Sequence, residues 1–255
     1  KKLATQSTDN VKYQYDNSTG TLNINQITPE IKLNGANWKI YDDQPVSFDE
    51  LVSKDPTTNQ PLIYVGASAN GHTINLPLDP GTYNWNSNGQ LLKTAPSQVG
   101  TYTITLNKDK VITYLNNWMA NNSDYQGAMK ILADNIGGSA LFEIKTRNIA
   151  KLEADPASGS QTYTGQAVQI DLSTIVGSLK ATDSDGKVWK LNTDTLTLDD
   201  YTITDSNGKI VTGFPVNVGT YTFKINEKGI VALASANPDL AIPNEINGYS
   251  YTYTI

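Results

Sequence analysis

Pro96-Ser97-Gln98-Val99-Gly100-Thr101-Tyr102-Thr103-Ile104-Thr105-Leu106-Asn107 and Pro215-Val216-Asn217-Val218-Gly219-Thr220-Tyr221-Thr222-Phe223-Lys224-Ile225-Asn226 are two versions of one pattern within a single chain. In each, a Val-Gly pair leads into residues that alternate polar and apolar, as a half-buried strand requires. Tyr102, Ile104 and Leu106 share one face, and Tyr221, Phe223 and Ile225 are their counterparts. Both versions end in asparagine, whose side chain can accept from the first free amides of a helix. An apolar stripe then follows at helical spacing: Val111, Ile112, Leu115, Trp118 and Met119 in the first, Ile230, Leu233 and Ala234 in the second. The spacing predicts one helix packed across a sheet after each strand. The helices stop near Asn122-Ser123-Asp124-Tyr125 and Asn237-Pro238-Asp239-Leu240, which makes the first about one turn longer.

Further correspondences lie on both sides of these anchors. Ile40-Tyr41-Asp42-Asp43-Gln44-Pro45-Val46-Ser47-Phe48 matches Thr162-Tyr163-Thr164-Gly165-Gln166-Ala167-Val168-Gln169-Ile170. Asn70-Gly71-His72-Thr73-Ile74-Asn75-Leu76 matches Asp185-Gly186-Lys187-Val188-Trp189-Lys190-Leu191, a glycine turn followed by alternation, which predicts a hairpin. Closing strands are expected at Ala140–Ile144 and Tyr249–Ile255. Val11–Tyr15, a turn at 17–20 and Leu22–Ile24 read as a further hairpin, the end of a preceding module or an extra edge. The expected organisation is a leader hairpin at 1–27 and two modules at 28–148 and 149–255. The fold class is mainly β with some helix (α+β). The modules are β-grasp-like or immunoglobulin-like, each with one helix crossing its sheet, and plain immunoglobulin-like sandwiches are the alternative. The link near 145–149 has no Gly or Pro, which favours an elongated stiff rod. A chain that begins Lys1-Lys2-Leu3 and ends in strand-like sequence reads as a piece of a longer protein.

Composition narrows the chemistry. The 255 residues carry 19 Lys+Arg against 25 Asp+Glu, a net charge of −6, which argues against a phosphate-binding surface and hence against nucleic acid as a partner. Cysteine is absent, so disulfides, thiol catalysis and thiolate metal sites are excluded. His72 is the one histidine, so no two-histidine metal motif exists. No apolar run reaches the roughly 18 residues of a membrane span, so membrane insertion is not expected.

His72 follows a turn glycine and reads as an exposed turn residue, because no local nucleophile or orienting group accompanies it. Asp183-Ser184-Asp185-Gly186-Lys187 begins like a calcium loop but lacks the distal glutamate, so an Asp-Gly turn is expected and no metal. Asp42-Asp43 and Asp199-Asp200 suggest a glycosidase pair, yet strand neighbours point to opposite faces and cannot flank one bond. No catalytic residue and no cofactor are therefore assigned, and the protein is expected not to be an enzyme. Among Trp38, Trp85, Trp118 and Trp189, the last and Trp118 fall on inferred core faces. Trp85, within Tyr83-Asn84-Trp85-Asn86, is the candidate for stacking on a sugar ring.

Taken together, Tyr-Asp-Asp-Gln or Tyr-Thr-Gly-Gln, Val-Gly-Thr-Tyr-Thr, the Gly229-Ile230-Val231-Ala232-Leu233 helix ending Ala236-Asn237-Pro238, and the last Tyr-Thr-Tyr-Thr-Ile strand resemble the MBG repeats. These occur in tandem in cell-wall-anchored surface adhesins of lactobacilli and are similar to the first subdomain of mucus-binding-protein repeats. The resemblance covers about 28 to 255; in the first module Asp43 replaces the usual Gly and the helical region is longer. It implies an extracellular place on the wall of a Gram-positive bacterium and further repeats in the same parent chain. It also implies adhesion to mucin or other host glycans or matrix proteins, with a purely structural stalk that projects another domain as the alternative.

Overall fold

The computed structural model describes residues 12–15, 22–122, 127–165, 171–244 and 249–255. The expected turn at 17–20, the helix stop at 123–125 and the 166–170 end of the second tyrosine stretch lie outside them. The chain forms two compact units: Lys1–Lys39 with Asp43–Ile144, and Ile40–Asp42 with Lys145–Ile255. Strand outweighs helix, 40% to 18%, so the architecture is mainly β.

In the first unit β1 (Lys12–Tyr15) pairs antiparallel with β2 (Leu22–Asn25). The main sheet uses β3 (Glu30–Ile40), β4 (Ile63–Ala69), β5 (His72–Leu76), β6 (Tyr83–Ser87), β7 (Gln90–Leu91), β8 (Gly100–Leu106) and β9 (Ile136–Lys145). Their order is β5-β4-β3-β9-β8-β6-β7. Alternation along β8 buries Tyr102, Ile104 and Leu106 together, and along β9 buries Ala140, Phe142 and Ile144. A short helix α1 (Phe48–Leu51) starts at a reciprocal Ser47–Glu50 cap, and Glu50 also holds the buried Lys39 ammonium at 3.1 Å. Helix α2 (Lys108–Ala120) is capped by Asn107, whose side chain accepts from Lys110 N at 3.2 Å, and it buries Val111, Leu115 and Met119.

The second unit uses β10 (Arg147–Ala154), β11 (Ser158–Ser160), β12 (Leu179–Asp183), β13 (Val188–Trp189), β14 (Tyr201–Asp205), β15 (Thr220–Ile225), β16 (Leu240–Ala241) and β17 (Tyr251–Thr254). They form sheets ordered β13-β12-β10-β16 and β11-β17-β15-β14. Helix α3 (Leu172–Gly177) precedes β12, and α4 (Glu227–Ala236) follows β15 from an Asn226 cap. The orders correspond in part to those of the first unit: β16, parallel to β10, and β7, beside β6, have no counterpart strands, and the central strand differs. β3 runs unbroken beside both β4 and β9, whereas here that role is divided between β10, beside β12, and β11, beside β17. The core is rich in tyrosine: Tyr201, Tyr221, Tyr249, Tyr251 and Tyr253 surround Phe223 and Ile175. Each such ring buried is worth roughly 1.5–3 kcal/mol of apolar transfer.

The Gly-Thr-Tyr motif has a local cause visible in both units. The Tyr102 hydroxyl donates to Gln98 O at 2.7 Å, and the Tyr221 hydroxyl donates to Asn217 O at 2.9 Å. Each ring therefore folds back over the motif glycine, where a Cβ on Gly100 or Gly219 would sit 3.4 Å from the phenolic oxygen. The strand entry is thus tied by its own tyrosine, and the glycine leaves room for the ring.

Candidate functional site

The seam between the turn before the Gly-Thr-Tyr hairpin and the helix that follows it differs between the two units. The turn before β6 carries Asp79-Pro80-Gly81-Thr82, and its counterpart before β14 is Thr197-Leu198-Asp199-Asp200. Both turns receive the helix cap in the same way: Asn107 N donates to Thr82 O at 2.8 Å, and Asn226 N to Asp200 O at 3.0 Å. In both, the fourth side chain reaches back to the first residue's amide. Asp79 N donates to Thr82 Oγ1 at 3.3 Å, and Thr197 N donates to Asp200 Oδ2 at 2.7 Å.

The two helices differ in which residues lie against the turn. Counting from the cap, Gly229 and Leu233 correspond to Lys110 and Tyr114. Gly229 and Leu233 are the buried residues of α4, so that side of the helix lies against the turn. A Cβ at 229 would run into the Asp200 carbonyl oxygen and lie 2.8 Å from Ile225 Cγ2. In α2 the buried set is instead Val111, Leu115 and Met119, one residue further along. Ile230, the counterpart of Val111, packs on its core as Val111 does, so the two helices keep a common face inward. Lys110 is exposed and Tyr114 half-buried at the places where Gly229 and Leu233 are buried, and a space lies between α2 and the turn.

The space is an open recess of about 400 Å³ lined by Asp79, Gly81 and Thr82 from the turn and Asp109, Lys110, Thr113 and Tyr114 from α2. The Asp79 carboxylate is oriented by Gly81 N, which donates to Oδ1 at 3.0 Å. Its charge, together with burial as the larger cause, raises the phenol pKa of both Tyr114 and Tyr83. Both phenols thus stay protonated as hydrogen-bonding groups. Thr113 donates its hydroxyl to Asp109 O at 3.0 Å, one turn earlier. The recess thus presents a fixed carboxylate, one ammonium and an aromatic ring, while the Thr82 and Thr113 hydroxyls donate to the Asp79 and Asp109 carbonyls. An anionic ligand would meet two carboxylates against one ammonium.

The residues singled out by sequence fall elsewhere. Trp85 is 6% exposed, enclosed edge-on by Tyr83, Tyr102 and Phe142 at centroid distances of 6.1, 6.4 and 5.7 Å. It faces Ile104 across the β6–β8 ladder, so it is a core residue and its expected role in sugar stacking is corrected. The missed signal was its counterpart: Ile203 holds the same place in the second unit and is buried there. The well-exposed tryptophan is Trp38 at 54%, as alternation from buried Ile31 and Leu33 along β3 requires. Trp189 is buried, as its place on a core face suggested, and Trp118 is half-buried.

His72 is exposed at the start of β5, after a turn in which Asn70 and Gly71 both have positive φ (53° and 81°). The Asp183 carboxylate is occupied internally: Oδ1 accepts from Asp185 N at 3.0 Å and Lys187 N at 2.9 Å, and Oδ2 from Trp189 Nε1 at 2.9 Å. The Trp189 bond first, and then those amides and Arg147, hold its pKa below the ordinary 3.8 against the opposing effect of burial. Among the described residues no three His, Asp or Glu side chains come together as a metal site. None of the helices among those residues is long and apolar enough to cross a membrane.

The first unit is thus a strand-rich module with two capped helices, α1 and α2, and an open polar recess. Residues 150–255 match the family model of the MBG domain, and through them the chain belongs to the MBG domain family. A cell surface adhesin from Lactobacillus reuteri is similar at 31% identity, over 41% of this chain and 92% of that one, with a TM-score of 0.29. Domains 6-7 of the surface layer protein SbsC are 14% identical over 89% of this chain and 97% of that one, with a TM-score of 0.26. No curated protein matches the chain.

Proposed function

We propose that the chain consists of two tandem repeats, 28–148 and 149–255 after a leader hairpin at 1–27, and that it contributes to attachment by holding neutral sugars of mucus glycans or host matrix in the first repeat's recess. It acts without catalysis, outside the cell, in a longer wall-attached protein of a Gram-positive bacterium. The observation that carries the reading is the recess itself, with Lys110 exposed and Tyr114 half-buried at the places where the second unit has the buried Gly229 and Leu233. A ring such as Tyr114 beside a fixed carboxylate and hydroxyls suits a sugar face and its hydroxyl groups. Single sites of this kind bind weakly, and repetition along a parent chain multiplies them. A second reading, a spacer that projects another domain, draws on the single residue between β9 and β10.

The test is a glycan and mucin array probed with the multimerised chain, wild type beside Tyr114→Ala, Asp79→Asn and Trp38→Ala. Neutral and N-acetylated sugars should bind, sialylated and sulfated ones several-fold less. Tyr114→Ala should lower the signal at least tenfold while Trp38→Ala leaves it. Binding lost with Trp38→Ala alone would move the site to the open face of β3. A multimer that binds nothing would establish the spacer.

A further inference from the structure

Tyr41 and Tyr163 hold matching positions in the sequence, yet their surroundings differ. Tyr41 is 8% exposed and belongs to the second unit. Its ring lies 5.6 Å from that of Trp189. Its amide donates to Lys145 O at 2.8 Å, and its carbonyl accepts from Arg147 Nε at 3.1 Å. Lys187 Nζ sits 3.8 Å over the Trp189 ring and donates to Asp42 O at 3.3 Å. The Trp189 indole is fixed in turn by Asp183. This is a built seat for a Tyr-centred tripeptide: an aromatic wall, two cations that also bind backbone carbonyls, and one backbone acceptor.

Tyr163 is 47% exposed. The strand before it is nonetheless laid out as the strand before Tyr41 is. β11 runs parallel to β17, and Gln161 N donates to Thr254 O at 3.0 Å. Ile144 and Ile255 close their respective sheets at matching places, so the position matching Lys145, the acceptor for Tyr41, is the one directly after Ile255.

We infer that Thr162-Tyr163-Thr164 is a docking tripeptide for a further repeat that carries an Arg, Lys and Trp seat like that of Arg147, Lys187 and Trp189. The inference rests on the tandem-repeat reading above. An aromatic side chain half in water gains from burial against another ring and from a cation over the pair. The seat is selective: His72 and Ile74 stand in the first unit where Lys187 and Trp189 stand in the second. A seat of the first unit's composition lacks the Trp189 ring and the Lys187 ammonium, so the tripeptide discriminates among repeats.

The test extends the whole chain by a second copy of residues 145–255 joined directly after Ile255, which supplies both an empty seat and a lysine carbonyl in register. Tyr163 reactivity toward N-acetylimidazole, read by peptide mass spectrometry, should fall about tenfold relative to the unextended chain. Trp→Ala at the appended copy's equivalent of Trp189 should restore it. Undiminished reactivity beside a cooperatively melting appended copy would overturn the docking and leave the tandem reading intact. An appended copy that does not fold speaks against the tandem reading. The docking is then decided in the unextended chain by Ile40→Thr/Asp42→Thr, which writes the 162–164 tripeptide into the existing seat. Retention of the second unit's melting temperature supports the docking, and a loss as large as that of Tyr41→Ala overturns it.

Discussion

Gly229→Ala tests why one unit has a recess and the other does not. In an ordinary exposed helix the change stabilises by about 1 kcal/mol, because alanine is the better helix former. Here the new Cβ would meet the Asp200 carbonyl oxygen, Ile225 Cγ2 at 2.8 Å and Asp200 Cβ at 3.0 Å. None of these retreats easily. The carbonyl already accepts from Asn226 N at 3.0 Å, and Asp200 is 2% exposed with its carboxylate held by Thr197. Overpacking of this kind costs roughly 1–3 kcal/mol, and backbone contact places it at the upper end. Net of the helix gain, the second unit should lose about 2 kcal/mol. For a domain of this size that lowers the melting temperature by roughly 10 °C. Calorimetry should show the drop in the second unit's transition alone, with Val231→Ala on the exposed side of the same helix near neutral. A Gly229→Ala chain that melts higher than wild type would refute the close approach, and with it the account of why α4 lies against its turn while α2 leaves a recess.

Trp85→Ala should act as a core deletion and cost about 3–5 kcal/mol in the first unit's stability, which urea unfolding measures. Acid should weaken the second unit through Asp183. Its folded pKa is depressed, so its contribution is present above the ordinary value of 3.8 and is lost as pH falls through the depressed one. Asp183→Asn should flatten stability against pH in that window. Alkali acts through the buried tyrosines. Burial pushes the Tyr249 phenol up to about 12 and raises Tyr201 and Tyr251 as well. A raised folded pKa means full stability below the unfolded value near 10, lost as pH climbs toward 12. Ultraviolet titration should show phenolate absorbance appearing late and together with unfolding, and Tyr249→Phe should reduce that dependence.

Local grammar was legible in the residues. Alternation placed Tyr102, Ile104 and Leu106 on one buried face, and Asn107 and Asn226 announced α2 and α4 as caps. These features depend on neighbours within a few positions, where strand period, helix period and capping act directly. Trp85 shows the limit. An amphipathic aromatic among asparagines reads as exposed until its ladder partner is known, and that partner, Ile104, is distant in sequence. The recess is hidden for the same reason, since α2 and α4 carry comparable stripes. Whether the third residue after the cap lies against the turn is decided by how closely the turn approaches, as Asp200 approaches Gly229. The seat of Tyr41 is equally remote from local pattern, because Arg147, Lys187 and Trp189 lie more than a hundred positions away. The sequence alone determined the repeated Gly-Thr-Tyr strands, the glycine turns and the capped helices α2 and α4, while the short helices α1 and α3 stood outside its expected one helix per module. Only the tertiary structure decided which faces meet, because packing depends on pairs of surfaces that the chain order does not bring together.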